Sequence, residues 1–242
     1  MNLIIDVGNT NVKLAVFDQD KLIDKHVVKT KHLQQSLKKI VKEHTAIKNA
    51  ILSSVGKLKD SQIEFIKSHF KTLILDSKTK LPFKNLYKTP KTLGVDRIAL
   101  VCASVKQNPN NNVLIIDAGT CITYDFVTSE NNYLGGAISP GIRVRYQSLN
   151  NLTANLPLLD TEIPKDIVGN STENSIHSGV IYGVLNEIDG VISEYKVKYQ
   201  DLTVILTGGD ANFLSKQLKS SIFANSNFLL EGLNFILDFN KN

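Results

Sequence analysis

Cysteine is scarce in this chain, and its two copies, Cys102 and Cys121, sit in different apolar settings with neither a CxxC nor a Cys/His spacing. Neither a disulfide framework nor a zinc site is indicated, and the composition suits a reducing cytoplasm. Long apolar runs are missing too. No stretch approaches the ~20 residues needed to span a bilayer, and Asp6 and Asn9 interrupt the N-terminal hydrophobic segment before it reaches the length of a signal-peptide core. A cytoplasmic protein with no membrane partner is the expectation. Also lacking is any bunching of basic residues with aromatics or arginines, so nucleic acid is not an expected partner. The lysines instead line amphipathic segments. Leu33, Leu37, Ile40 and Val41 recur at helical spacing, while Lys38, Lys39 and Lys42 fall mostly on the other face.

What the chain has is an uneven charge. Its 242 residues carry a formal net charge of +5, yet residues 1–112 hold 20 Lys and Arg against 9 Asp and Glu, whereas 113–242 hold 8 against 14. The balance changes beside the polar turn cluster Asn108 to Asn112, which divides the chain into expected domains 1–112 and 113–242. Hydrophobic periodicity predicts strands at 2–7, 11–17 and 22–28, a helix at 32–44, a strand at 49–53, a helix at 60–70, a strand at 72–76 and a helix at 94–107. The second half begins with strands at 113–118, 121–128 and 132–138, followed by helices at 141–151 and 172–197. A strand at 202–207, a helix at 211–219, a strand near 222–228 and a helix at 231–239 complete it. This α/β order implies mixed sheets flanked by helices. The long connections 77–93 and 152–171 are candidate binding segments. Gly179 and Gly183, four apart on the long helix, fit a tight helix or subunit contact, or simple tolerance.

One motif occurs twice. Leu3-Ile4-Ile5-Asp6-Val7-Gly8-Asn9-Thr10 and Leu114-Ile115-Ile116-Asp117-Ala118-Gly119-Thr120 each run a short apolar strand into an acidic, glycine-bearing turn, and a second strand follows each. Singly, such a turn is ordinary local chemistry. Two copies in matching context indicate duplication, and each places a carboxylate beside backbone N–H groups and a hydroxyl. That combination suits a metal-bound phosphate held between two lobes.

Three further segments stand out. Gly94-Val95-Asp96-Arg97 opens a helix with an acid at its positive end. Gly135-Gly136-Ala137-Ile138-Ser139-Pro140-Gly141 links a strand to a helix. Thr207-Gly208-Gly209-Asp210 follows a strand, and its two glycines leave room for a flat group such as a purine. Taken in order, with Asp117 to Asp125 and Gly169-Asn170-Ser171-Thr172, these segments resemble the type III pantothenate kinases. The family pattern runs D-x-G-N-T, G-x-D-R, D-A-G-T-x-x-T-x-D, G-G-x-I-x-P-G, G-x-S-T and a late G-G-D, and the resemblance spans essentially the whole chain.

The resemblance implies two duplicated ribonuclease-H-like domains of the acetate and sugar kinase, heat-shock chaperone and actin superfamily. It implies ATP and pantothenate as substrates, Mg²⁺ with the ATP, and a K⁺ or NH₄⁺ ion. The nucleotide stretch falls on Asp6, Val7, Gly8, Asn9, Thr10, Asn11, Val12 and Lys13. Within it Asn9, Thr10 and Lys13 would meet phosphates, and Asp6 would organise Mg²⁺. Thr120 would add a phosphate contact, and Asp117 would serve the monovalent ion. Asp96 would be the base toward the pantothenate hydroxyl. Gly94, Val95 and Arg97 would shape the pocket, with Arg97 gripping the carboxylate, and Tyr87 would contact pantothenate. Thr172 would reach the site from the second subunit of a homodimer. Cys121 departs from the alanine common in the family but is small enough for the turn. Fold and phosphate turns do not define the acceptor. A related small-molecule kinase and a non-catalytic nucleotide-binding regulator are therefore the alternative readings.

Overall fold

The computed structural model describes residues 1–8, 11–54 and 58–241, and these group into two compact units. The first comprises 1–109, 131–133 and 227–242; the second comprises 110–130 and 134–226. A single cut at residue 112 keeps the last segment with the second half, whereas contacts assign it to the first.

The first unit begins with β1 (Asn2–Val7), β2 (Val12–Asp18) and β3 (Lys21–Val28), then α1 (Leu33–Glu43), β4 (Asn49–Ser54), α2 (Asp60–His69) and β5 (Lys71–Ile74). The sheet order is β3-β2-β1-β4-β5, with β1 antiparallel to β2 and parallel to β4. Every residue of β1 is buried, as a central strand covered on both faces requires. The edge strand β3 instead alternates exposed and half-buried positions. Leu33, Leu37 and Ile40 form the buried stripe of α1 against Leu3, Ile5, Leu14 and Val16. The segment 77–93 carries more order than its composition suggests. Within it β6 (Lys84–Asn85) pairs in parallel with Asn132 and Tyr133, and a single 3₁₀ turn covers Pro90–Thr92. The helix α3 (Val95–Gln107) follows.

The second unit contains β7 (Asn112–Ala118), β8 (Cys121–Val127) and most of β9 (Asn132–Pro140). Next come α4 (Ile142–Asn151), α5 (Thr172–Lys198), β10 (Leu202–Thr207), α6 (Ala211–Leu214) and β11 (Phe223–Ala224). Its strands run β9-β8-β7-β10-β11, the same order by position as in the first unit, with β7 antiparallel to β8 and parallel to β10. The duplication suggested by the two turns therefore extends to the strand order. The Ser171 hydroxyl caps α5 by accepting the Asn174 N–H at 3.2 Å, and Ile176, Val180, Ile181, Val184, Leu185, Ile188 and Ile192 bury its stripe.

Three expected elements differ. The helix expected at 211–219 is a single turn, because the Asp189 carboxylate of α5 accepts the Lys219 and Ser220 N–H groups at 3.2 and 3.1 Å and draws the chain away. The strand expected near 222–228 shortens to two residues. The last helix, α7 (Phe228–Phe239), starts three residues earlier than its pattern suggested, with Phe228, Leu229 and Leu230 buried. It packs on α3 within the first unit, where a Cβ at Gly232 would lie 1.9 Å from the Ala99 carbonyl oxygen. Asn234 adds a buried polar tie, accepting from Asn2 at 2.7 Å and donating to the Gln19 carbonyl at 2.8 Å.

Candidate active site

Antiparallel pairing sets Asp6, near the end of β1, opposite Lys13 of β2, and the Lys13 ammonium lies 3.8 Å from Asp6 Oδ2. The turn joining these strands includes a hydrogen bond from the Gly8 N–H to the Asn11 carbonyl at 3.0 Å. Asn9 and Thr10 lie outside the described residues. Asp6 is buried, and this raises its carboxyl pKa to about 6; Lys13 lowers it and the charge of Asp96 pushes it up further. That repulsion brings the start of α3 into the electrostatic neighbourhood of the first hairpin. Val7 and Val12 belong to the apolar core, and their side chains position the two strands of the hairpin.

Asp96 occupies the first turn of α3, and its Oδ1 accepts the Arg97 N–H at 2.9 Å. A Cβ at Gly94 would stand 2.3 Å from that Oδ1, so the glycine of G-x-D-R makes room for the carboxylate. Val95 is half-buried beside it. Arg97 is buried, with its guanidinium carbon 5.6 Å from the centre of the Tyr87 ring, a cation–π contact. Tyr87 stacks on Tyr133 at 6.1 Å, and Phe83 meets Tyr133 edge-on at 6.0 Å. The β6 pairing holds this aromatic bed through the Leu86 N–H, which donates to the Tyr133 carbonyl at 3.0 Å. The first unit thus gathers Asp6, Lys13, Tyr87, Asp96 and Arg97 around one set of elements.

The second unit builds its own turn from Ala118, Gly119, Thr120 and Cys121, with the Gly119 N–H donating to the Cys121 carbonyl at 2.9 Å. Thr120 is exposed, and Asp117, one residue before the end of β7, lies opposite Thr123 and Thr207. Later motifs brace this turn. The Gly141 N–H donates to the Thr120 carbonyl at 3.0 Å, and the Asp210 N–H to the Ala118 carbonyl at 3.0 Å. Gly208 has φ +98°, and a Cβ there would lie 2.2 Å from the Ala118 carbonyl oxygen and 2.5 Å from Asp117 Oδ1. Its missing side chain is thus taken up by the protein's own turn, and only Gly209 opens onto free space. Gly208→Ala is expected to destabilise the chain by roughly 2–5 kcal/mol, through left-handed strain plus overpacking. A thermal midpoint within a degree of wild type would contradict this packing.

Thr172 sits apart from the second turn's bracing, at the start of α5. It lines an open groove of about 690 Å³ with Arg145, Ser148, Leu149, Ile176 and Gly179. Gly179 and Gly183 make no close backbone approach in the described residues, since a Cβ at Gly179 meets nothing within 4 Å and at Gly183 only Arg145 at 3.9 Å. The motifs did not reveal two supports. Tyr133 was read only as part of a strand. Arg145 ties the end of β9 to α5 by donating to the Pro140 carbonyl at 2.9 Å, to Ser139 at 3.0 Å and to Glu187. Glu187 in turn accepts from the Tyr124 hydroxyl at 2.8 Å. These partners are remote in sequence, so spacing gave no signal.

A family model described as type III pantothenate kinase matches residues 2–194. The type III pantothenate kinase of Christiangramia forsetii is 54% identical over 242 residues, covering 100% of this chain and 99% of its own. That of Bacteroides fragilis is 43% identical over 242 residues, with the same coverage. Among solved structures, a Campylobacter jejuni protein described as a Baf family transcriptional activator aligns with a TM-score of 0.64 at 21% identity, covering 98% of both chains. A ROK hexokinase from Thermus thermophilus aligns with a TM-score of 0.55 at 11% identity, covering 99% of both. At such identities the structural likeness carries the fold alone, an α/β arrangement of mixed sheets flanked by helices. No helix among the described residues is long and apolar enough to cross a membrane.

Proposed function

The chain belongs to the type III pantothenate kinase family, and from that membership we propose that Asp96 takes the proton of the pantothenate 4′-hydroxyl as ATP donates its γ-phosphate. The activity is ATP-dependent phosphorylation of pantothenate in coenzyme A biosynthesis. The observation that carries the base assignment is the electrostatic coupling of Asp96 to the buried Asp6, which joins G-x-D-R to the first phosphate turn. One Asp96 oxygen is held by the Arg97 N–H, which fixes the carboxylate while the other can face the hydroxyl.

Phosphoryl transfer passes through a loose transition state, so positioning and charge stabilisation supply most of the rate. Lys13 offers a cation to the phosphates, joined by Gly8, Asn9, Thr10 and Asn11 in the first turn and by Thr120 in the second. Arg97 receives the pantothenate carboxylate, because a planar guanidinium pairs with a carboxylate through two parallel hydrogen bonds. Tyr87 backs that guanidinium and walls the acceptor pocket with Gly94 and Val95.

The family implies ATP with a divalent metal. A buried, ionisable carboxylate such as Asp6 is a fitting hard-oxygen donor for Mg²⁺, and Asp117 offers the same donor type to K⁺ or NH₄⁺. When bound, Mg²⁺ neutralises charge developing on the phosphate oxygens. Thr172 serves the acceptor pocket of a second subunit in a homodimer; its exposed groove, with Gly179 open beside it, supports a contact with another copy. Functionally, 1–112 carry the base, Tyr87 and Arg97 and the first phosphate turn, and 113–242 the second turn and Thr172. The cytoplasm is the proposed location, consistent with two free cysteines, one exposed and one buried.

The test is a coupled assay of ADP release over a range of pantothenate concentrations, in potassium and then sodium, with wild type and Arg97→Lys. Wild type is expected to need pantothenate and to slow at least tenfold in sodium. Arg97→Lys is expected to raise the pantothenate KM about tenfold or more while the ATP KM stays within twofold. Equal rises in both KM values remove the carboxylate role, and pantothenate-independent ADP release removes the reaction.

A further inference from the structure

We infer that Asp24, Glu43 and His44 form a Zn²⁺ site that clips the end of α1 to the edge strand β3, independently of the residues assigned to phosphoryl transfer.

Along β3 the half-buried positions are Leu22, Asp24, His26 and Val28, the face turned toward the core. Apolar residues would be expected there, yet the middle two are an acid and an imidazole. Both His26 and His44 direct Nε2 at the same oxygen, Asp24 Oδ2, at 2.9 and 3.2 Å. Glu43, the last residue of α1, completes the group: ligand atoms of Asp24, Glu43 and His44 all lie within 4.8 Å of one another. Side-chain exposures of 28% for Asp24, 30% for His26 and 17% for His44 leave the cluster reachable by an ion yet partly screened from water.

Tetrahedral Zn²⁺ with bonds of about 2.0–2.2 Å separates its ligand atoms by roughly 3.3 Å, close to the 3.2 Å between His44 Nε2 and Asp24 Oδ2, and all three donors lie within 4.8 Å of one another. One imidazole with two carboxylates is a zinc donor set that leaves the fourth position to water, whereas Mg²⁺ and Ca²⁺ favour oxygen alone. An inward charge that discourages sheet extension accounts for one acid on an edge strand, but not for three donors converging from the strand and the end of α1. His26, bonded to the same Asp24 oxygen, orients that carboxylate. On binding, the Nε2 proton of His44 gives way to the metal and leaves to solvent or to Nδ1, so that the imidazole coordinates as the neutral tautomer.

The experiment uses tag-free, metal-stripped, full-length protein, titrated with Zn²⁺ by calorimetry and with Co²⁺ as a spectroscopic probe. One equivalent per chain and the intense visible bands of tetrahedral Co²⁺, bleached by Zn²⁺, are expected. Affinity should fall at least 100-fold in both His44→Gln and Asp24→Asn and stay unchanged in His69→Gln, whose imidazole bonds to Ser68 and the Phe65 carbonyl instead. Equal zinc binding in wild type and both ligand variants, or an octahedral cobalt spectrum, overturns the site. Should both variants fail to fold, the wild-type thermal midpoint decides: it must rise with Zn²⁺ and not with Mg²⁺, and no rise overturns the inference.

Discussion

Asp96→Asn is expected to lower kcat for pantothenate phosphorylation by roughly 10²- to 10⁴-fold, the usual contribution of a positioned base, while ATP binds within about threefold of wild type. Asparagine keeps the shape and can still accept the Arg97 N–H that fixes Asp96 now. It cannot take a proton. The same change removes one of the two influences that raise the Asp6 pKa, so the Asp6 titration should move downward while the fold is unchanged. Single-turnover kinetics with a nucleotide-binding measurement separate these effects. Turnover within threefold of wild type would end the base assignment.

Asp6→Asn should do two opposite things. Activity should fall by 10²-fold or more, since a carboxylate suited to the divalent ion is lost. Yet the ligand-free protein should become more stable at pH 7.5. Folding raises the Asp6 pKa from 3.8 to about 6, so the native state binds this proton more tightly than the unfolded chain does. Ionised Asp6 therefore opposes folding above about pH 6, and the penalty fades as the pH falls from 6 toward 4. A shift of this size is worth on the order of 3 kcal/mol, and for a chain of this length each kcal/mol moves the thermal midpoint by roughly 2–4 °C. Several degrees of stabilisation at pH 7.5, shrinking to little by pH 4.5, is the expected signature. Lys13 is more than a third exposed and keeps its hydration when its partner is neutral. A variant less stable than wild type at pH 7.5 would show that the Asp6 carboxylate is compensated in the native state.

Local patterns made much of the fold legible. The apolar runs Leu3–Ile5 of β1 and Val113–Ile116 of β7, the stripe of α1 and the long face of α5 each lie within one segment, and the repeated turn announced the duplicated strand order. What the sequence withheld depends on partners far along the chain. Asp189 truncates α6, and Gly232 fits α7 against Ala99. Neither pairing leaves a periodic trace. The glycines of the late G-G-D segment were legible as glycines but not in their roles, because only the structure shows that Gly208 accommodates the protein's own carbonyl. Among the residues proposed for the acceptor, Asp96 and Arg97 came from a motif and Tyr87 from the family resemblance. Tyr133, which stacks on Tyr87, came from neither, since an aromatic in a strand ordinarily signals core. The zinc ligands escaped notice for a related reason: one lies on a strand and two adjoin at a helix end, a spacing no finger motif shares.

The return of α7 to the first unit has a consequence for biosynthesis. Residues 110–226 are, with a three-residue exception, a contiguous stretch inserted into the first unit, whose helix α7 follows it in the chain. On the ribosome the second unit has all its strands in hand before the first has its closing helix. Until Gly232 and its neighbours emerge, the face of α3 around Ala99 and Ala103 waits uncovered in the nascent chain. The first unit therefore closes only after the second has been translated, and a nascent chain halted after residue 226 holds every residue of the second unit while α3 lacks its cover.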